Sequence, residues 1–230
     1  AEQARRLVRD IEQLRLRVND ELAESELRLG AINTALHGML PDVLGGFVKV
    51  LPMVRVHVRS ALSQELHDAV RTDEIDVAIC QRPAFALPKT MHWELLRKEA
   101  LILLTPQRWA RREPHRLLAE VPFIRYDRSL AGGKEAERYL GRAGITPIER
   151  FELSSLAAIA LLVDRGLGVS LTPDSAAPGW AGLRIARLPL PMASDPRQFG
   201  MLWQRANPRQ RLIQELAKQA RRVAQEGADQ

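Results

Sequence analysis

Hydrophobic and polar positions change their period several times along the chain, and each change marks a new element. Residues 2–24 lack Gly and Pro and place Leu7, Ile11, Leu14 and Val18 at alternating four- and three-residue steps, the seam of a short helix that pairs with a partner helix or, alternatively, lies on its own domain; the polar character of its other faces favours the former. "LRLGAI" from Leu27, apolar apart from Arg28, is expected to be a buried strand, and Asn33-Thr34 hands it over to a helical stretch reaching about Leu51. Pro41 falls near the first turn of that helix and Pro52 closes it. "MVRVHVR" alternates Val54, Val56 and Val58 with charged or polar neighbours, a strand with one wetter face. "SQELHDAVRTDE" is a helix opening at Ser63, and "IDVAIC" ending at Cys80 is a further strand. The order β-α-β-α-β predicts a parallel sheet with covering helices.

"MHWELLRK" and "EALILLT" then follow as two adjacent strands. A second series begins with "VPFIRY" and continues with the helix "GKEAERYLGRAG", the strand "ITPIERFEL", the helix "SSLAAIALLVDRG" and the strand "LGVSLTP". A second α/β lobe over 106–187 is therefore expected, with 26–105 and 188–226 forming the first and with connecting segments near 104–107 and 188–198. Leu212, Ile213, Leu216 and Ala220 share one face of a closing helix.

Composition narrows the function classes. With 230 residues, 46% of them hydrophobic, the chain can bury a core of one bilobed domain or two small ones. The net charge of +6 is scattered among interleaved carboxylates, which reads as solvated surface and not as a nucleic-acid footprint. No apolar run reaches membrane-spanning length, and "AEQARRLVRD" lacks the apolar core of a signal peptide, so a cytoplasmic location is expected. Cys80 is the only cysteine, which excludes an intrachain disulfide. The five histidines show no ligand spacing and read as packed or surface residues. No phosphate loop is present, and the glycines of "RGLGVS" close a helix where a dinucleotide site would open one. No cofactor, no metal and no enzymatic activity are expected.

Candidate chemistry gathers where strands hand over to helices. In open α/β sheets ligands bind beyond the carboxyl ends of strands, and Asn33, Thr34, Ser63, Ser154 and Ser155 all stand at such places. Each of these side chains can cap the helix it precedes. Together with the positive helix N-termini they also suit a carboxylate or similar anion. Arg125 and Tyr126, ending "FIRY", add a guanidinium and a phenol, or else a surface arginine and a packed tyrosine.

"LRLGAINTALHGMLPDVL", "SQELHDAVRTDEIDVAIC", "ELLRKEALILLTP", "VPFIRY" and "SSLAAIALLVDRGLGVSLTP" stand in an order and spacing that resembles the effector-binding region of LysR-type transcriptional regulators with its preceding linker helix, 1–25. The resemblance covers nearly all of residues 1–226. It implies a periplasmic-binding-protein-like fold of type 2: two Rossmann-like subdomains joined by two crossover strands, with an inducer between them. The family's effector positions fall on Asn33, Thr34, Ser63 and Ser155, and Gln81, Arg125, Tyr126 and Ser154 border the same region. The turns "SALS" and Thr72-Asp73-Glu74 depart from the family's glycine-bearing ones. The resemblance also implies a winged helix-turn-helix, which residues 1–24 do not resemble, so DNA binding is expected to belong to a portion outside this sequence. A homodimer or homotetramer is implied, pairing the helix around 36–50 with the strand and helix around 54–72. The expectation is a sensor of a small anionic metabolite, with a solute-binding protein of a transport system as the alternative.

Overall fold

β1 (Glu26–Ala31) pairs in parallel with β2 (Arg55–Ser60) on one side and β3 (Val77–Gln81) on the other, the register running from Glu26↔Arg55 to Ala31↔Ser60 and from Leu29↔Val77 to Ala31↔Ile79. In this computed structural model residues 26–175, 180 and 182–226 are described, and the helical seam expected over 1–25 lies outside them. β4 (Met91–Glu99) and β10 (Arg197–Gln204) complete a five-stranded sheet in the order β2-β1-β3-β10-β4. Leu27, Leu29 and Ala31 of β1 are fully buried, as expected of the central strand of a parallel unit covered on both faces. A methyl on Gly30 would meet Ile75 Cδ1 at 2.5 Å and Leu66 Cδ2 at 2.6 Å, so this position keeps the helix carrying Leu66 close to the sheet.

The single helix expected after Asn33-Thr34 is two. α1 (Asn33–Leu36) ends in a turn at 37–39, and α2 (Leu40–Val50) starts with Pro41 in its first turn. Proline has no N–H to offer the carbonyl of His37, so a new helix start is favoured over an unbroken run. α3 (Ser63–Arg71) covers β1 and β3, and α7 (Gln210–Glu226) packs on α2 with Leu212, Ile213, Leu216 and Ala220 buried, as the apolar stripe predicts.

Asp76, fully buried at the entry to β3, fastens this unit. Its carboxylate accepts the Arg28 backbone N–H at 2.8 Å, Arg28 Nη2 at 2.9 Å, Arg209 Nη1 at 3.1 Å and Asn207 Nδ2 at 3.4 Å. Burial alone would raise its pKa, but the donors from Arg28, Asn207 and Arg209 outweigh it and hold the group below the usual carboxylate range.

The chain divides into two compact units, one comprising the described residues up to Ile32, 40–94 and the described residues from Met201, the other Asn33–Met39 and Leu95–Gly200. The chain passes from one to the other after Ile32, after Met39, within β4 and within β10. The segments expected as connections near 104–107 and 188–198 include two strands of the second unit, β5 (Leu101–Pro106) and β9 (Ile185–Pro189), both antiparallel partners in the order β8-β5-β9, where β8 is Ser170–Pro173. β6 (Pro122–Tyr126) pairs in parallel with β7 (Ile148–Leu153), and a parallel bridge between Phe123 and Val169 joins β6 to the start of β8. One face of these strands buries Leu101, Leu103 and Leu171 with Phe123 and with Tyr139 of α5 (Ala131–Ala143). The other buries Leu104, Ile124 and Tyr126 with Ile159 and Val163 of α6 (Leu156–Asp164). α4 (Pro114–Glu120) has no counterpart among the expected elements; Glu113 caps it by accepting the His115 and Arg116 N–H groups at 2.9 and 2.6 Å.

Replacing Asp76 by Asn removes the buried carboxylate that gathers the Arg28 N–H and the half-buried Arg28 and Arg209 guanidiniums. Urea unfolding is expected to show a loss of about 3 kcal/mol or more, whereas neutralising Glu74 in the exposed pair with Arg59 is expected to change little. An Asp76→Asn protein as stable as the parent would show that the fastening role belongs elsewhere.

Candidate effector site

Of the residues expected at the site, Ser63 and Gln81 are brought together in the first unit. Ser63 is the first helical residue of α3, and the N-cap position belongs to Leu62, which offers no side-chain acceptor. The Ser63 hydroxyl is therefore turned from the capping role open to it and accepts the Gln81 backbone N–H at 3.3 Å. His67, one helical turn further on and on the same face, engages the Gln81 carbonyl through Nε2 at 2.9 Å. As a carbonyl accepts only, Nε2 carries the proton, and Nδ1 is left as a buried lone pair with no partner among the described residues. Burial lowers the His67 pKa against the opposing pull of the Gln81 carbonyl and Asp68, so the ring is held neutral. The peptide ending β3 is thus clamped from both sides by α3. Metal-ligand spacing does not single out His67; its spacing of four from Ser63 is the signal the sequence offers for this role.

Asn33 and Thr34 group with the second unit. Both lie inside the first turn of α1, not ahead of it, and Thr34 Oγ1 is buried with no hydrogen-bond partner among the described residues. A buried hydroxyl left in this state costs roughly 1–3 kcal/mol relative to a satisfied one, which marks the position as suited to an added partner.

Ser155 takes the capping role. It is the N-cap of α6 and accepts the Ala158 N–H at 3.3 Å, while its neighbour Ser154 is exposed. Asp127 N–H donates to the Leu153 carbonyl at 3.0 Å, which sets the end of β6 beside the approach to α6. Tyr126 is buried among Leu104, Ile124 and Leu156, and burial raises the pKa of its phenol.

Arg125 is not free to meet a ligand with its full fork. Its side chain is 2% exposed, donates to Glu137 Oε2 at 2.5 Å and pairs with Glu149. Arg128 joins the same network through Glu149 and Glu152 at 2.7 and 3.1 Å. This ties β6 to α5 and β7, so the arginine acts as a structural cross-link between elements of the second unit. Cys80 is buried, and desolvation pushes its thiol pKa up, away from the thiolate needed for nucleophilic or redox chemistry. Among the described residues no group of three or more His, Cys, Asp or Glu is placed to hold a metal, and no helix is long and apolar enough to cross a membrane.

The family model described as the LysR substrate binding domain matches residues 20–225. The HTH-type transcriptional regulator CysB of Haemophilus influenzae is 24% identical over 153 residues, 65% of this chain and 47% of its own length. The probable hydrogen peroxide-inducible genes activator of Mycobacterium avium is 28% identical over 198 residues, 83% of this chain and 63% of its own length. The chain thus spans about half to under two thirds of these relatives. The reduced form of the OxyR regulatory domain from Pseudomonas aeruginosa is similar with a TM-score of 0.67 at 22% identity, covering 88% of this chain and 97% of that one. The regulatory domain of Synechocystis PCC6803 CcmR in complex with 2-PG is similar with a TM-score of 0.69 at 18% identity, covering 85% and 97%. Likeness at these identities shows the fold, which is the type 2 periplasmic-binding-protein-like α/β fold that the family resemblance implies.

The state of His67 has a measurable consequence. Its folded pKa lies below the ordinary 6.5, so its contribution is fully present above that value and is lost as the unfolded chain takes up a proton at lower pH. Stability measured between about pH 7 and pH 5 is expected to fall, and less steeply in His67→Gln, with His92, also depressed by burial, supplying part of the remaining slope. An unchanged slope in the variant would remove His67 from the clamp's pH response.

Proposed function

Because this chain belongs to the LysR substrate-binding domain family, we propose that it is the effector-sensing part of a cytoplasmic LysR-type transcriptional regulator. The observation that carries this reading is the family match across residues 20–225. DNA binding belongs, on this reading, to a winged helix-turn-helix outside the sequence. The relatives named above are regulators and not transport proteins, which favours sensing over solute delivery.

The effector is a small anion; the groups suited to it are, in the first unit, Ser63 at the first turn of α3 and, in the second unit taken by itself, the buried Thr34 hydroxyl and the first turn of α6. In the first unit Gln81 holds the Ser63 hydroxyl; in the second Ser155 caps α6, with Ser154 preceding it, and Asn33 precedes Thr34. Arg125, held by two glutamates, keeps β6 in place. A ligand moves such a sensor only through its affinity difference between two states. Thiol chemistry is disfavoured as the signal, since the sole cysteine is buried and protonated.

The chain assembles with itself through the first unit. Val48 and Val50 of α2 are 45% and 49% exposed, with Met53 at 61% and Leu62 at 53%, an apolar set within the segments the family uses for pairing. Sedimentation at micromolar concentration is expected to show a dimer or tetramer; monomer alone would overturn this contact.

Thermal-shift screening of mono- and dicarboxylates is expected to find a stabilising compound. Thr34→Val and Ser63→Ala should each weaken it by about 1 kcal/mol, roughly fivefold. A compound that stabilises the parent and both variants equally would take these hydroxyls out of the site.

A further inference from the structure

The second unit contains a buried group of charges that the effector reading does not use. Glu99, at the end of β4, is fully buried and faces two arginines. Arg97 donates to its Oε1 through Nη2 at 2.6 Å and Nε at 3.0 Å. Arg197, at the start of β10, donates to Oε2 through Nε at 2.5 Å, with Nη2 in ion-pair contact with the same oxygen. Both guanidiniums lie over the ring of Phe199, at 5.3 and 6.0 Å from its centroid. Neither arginine has a second carboxylate within ion-pair distance among the described residues.

Two positive charges therefore share one negative charge, leaving an excess of one. The side chain of Arg197 is only 7% exposed, and its Nη1 has no hydrogen-bond acceptor among the described residues. Arg97 is 19% exposed, so water reaches it more readily. A buried guanidinium with unfilled donors pays the desolvation cost of its charge without full compensation.

The chain contains a contrasting case. Asp76 is as fully buried and also meets two arginines, but Arg28 and Arg209 keep 33% and 36% of their side chains exposed, so their spare donors can be hydrated. At Glu99 the corresponding donor, Arg197 Nη1, is buried, and the nearby Tyr126 phenol feels the charges of both Arg197 and Glu99.

We propose that Arg197, backed by Arg97, is an anion site in the second unit that takes a small oxyanion, a carboxylate or sulfate group, on its buried, unpaired Nη1 donor. A guanidinium N–H matches an oxygen of such a group, and the added negative charge neutralises the excess. Phe199 supplies the apolar floor that excludes water from the pair. The site stands without the effector reading, since its charge balance depends on none of Thr34, Ser63 or Gln81.

The test uses the full chain labelled with 15N-arginine and titrated with sodium sulfate or sodium acetate at constant ionic strength in chloride. The assigned Arg197 side-chain signal is expected to move saturably with one or both anions. Arg197→Gln, shown folded by circular dichroism, should weaken the same anion's saturable effect on the backbone spectrum by at least about tenfold. An Arg197 signal that does not move with either anion overturns the proposal, and because this reading is made on the parent chain it stands even if the variant fails to fold. A folded Arg197→Gln that binds the anion as the parent does also overturns it. Movement with sulfate alone identifies an inorganic or sulfate-like ligand, and movement with acetate a carboxylate.

Discussion

A carboxylate with no access to water sets the frame of the first unit. Asp76 draws Arg28 from the first described strand and Asn207 with Arg209 from the chain's late return to the entry of β3. Residues over 130 positions apart are thereby fixed to one atom pair, and an unmade contact would leave a buried charge. β3 is five residues long, so the same strand that begins beside Asp76 ends at Gln81. A rigid strand fixed at one end carries its other end to a defined place, where Ser63 and His67 hold the Gln81 peptide. Fold and site in this unit are two ends of one element.

The elements themselves are legible in the sequence because burial imposes period. β1 and β3 are covered on both faces and read as apolar runs, β2 is half-exposed at the sheet edge and reads as alternation, and α7 shows its buried stripe. What periodicity misses are choices made by local chemistry or by pairing. Pro41 divides one helix into two, which its position alone signals but apolar spacing conceals. α4 is short and polar, and only the Glu113-Pro114 start announces it. The segments around 104–107 and 188–198 read as connections because they fall between the two series of elements, yet β5 and β9, which overlap them, bond to each other; strand partners far apart in sequence leave no periodic trace.

The candidate site is legible in location and less so in role. Helix starts after strands single out Thr34, Ser63 and Ser155, but whether a hydroxyl caps its own helix depends on which neighbour is nearer. Ser155 has the geometry of an N-cap and takes it. Ser63 sits one position inside its helix, where the next strand's N–H is the better donor. Arg125 carries the type of charge an anion site needs, and only tertiary structure shows Glu137 and Glu149 already occupying it.

Arg97, Glu99 and Arg197 lie in strands whose pattern announces only that they are strands. Arg197 is nearly one hundred positions from its partner, so no local rule could join them. Their meaning comes from counting charge against exposure. Where arginines around a buried carboxylate keep part of their surface exposed, as at Asp76, the surplus donors are open to hydration. Where one of them is buried, as at Arg197, the same stoichiometry leaves a donor that no described residue fills. The difference between a structural ion pair and a site for an anion therefore lies in which guanidinium the fold keeps from solvent, and here β10 does so by starting on Arg197 two residues before Phe199.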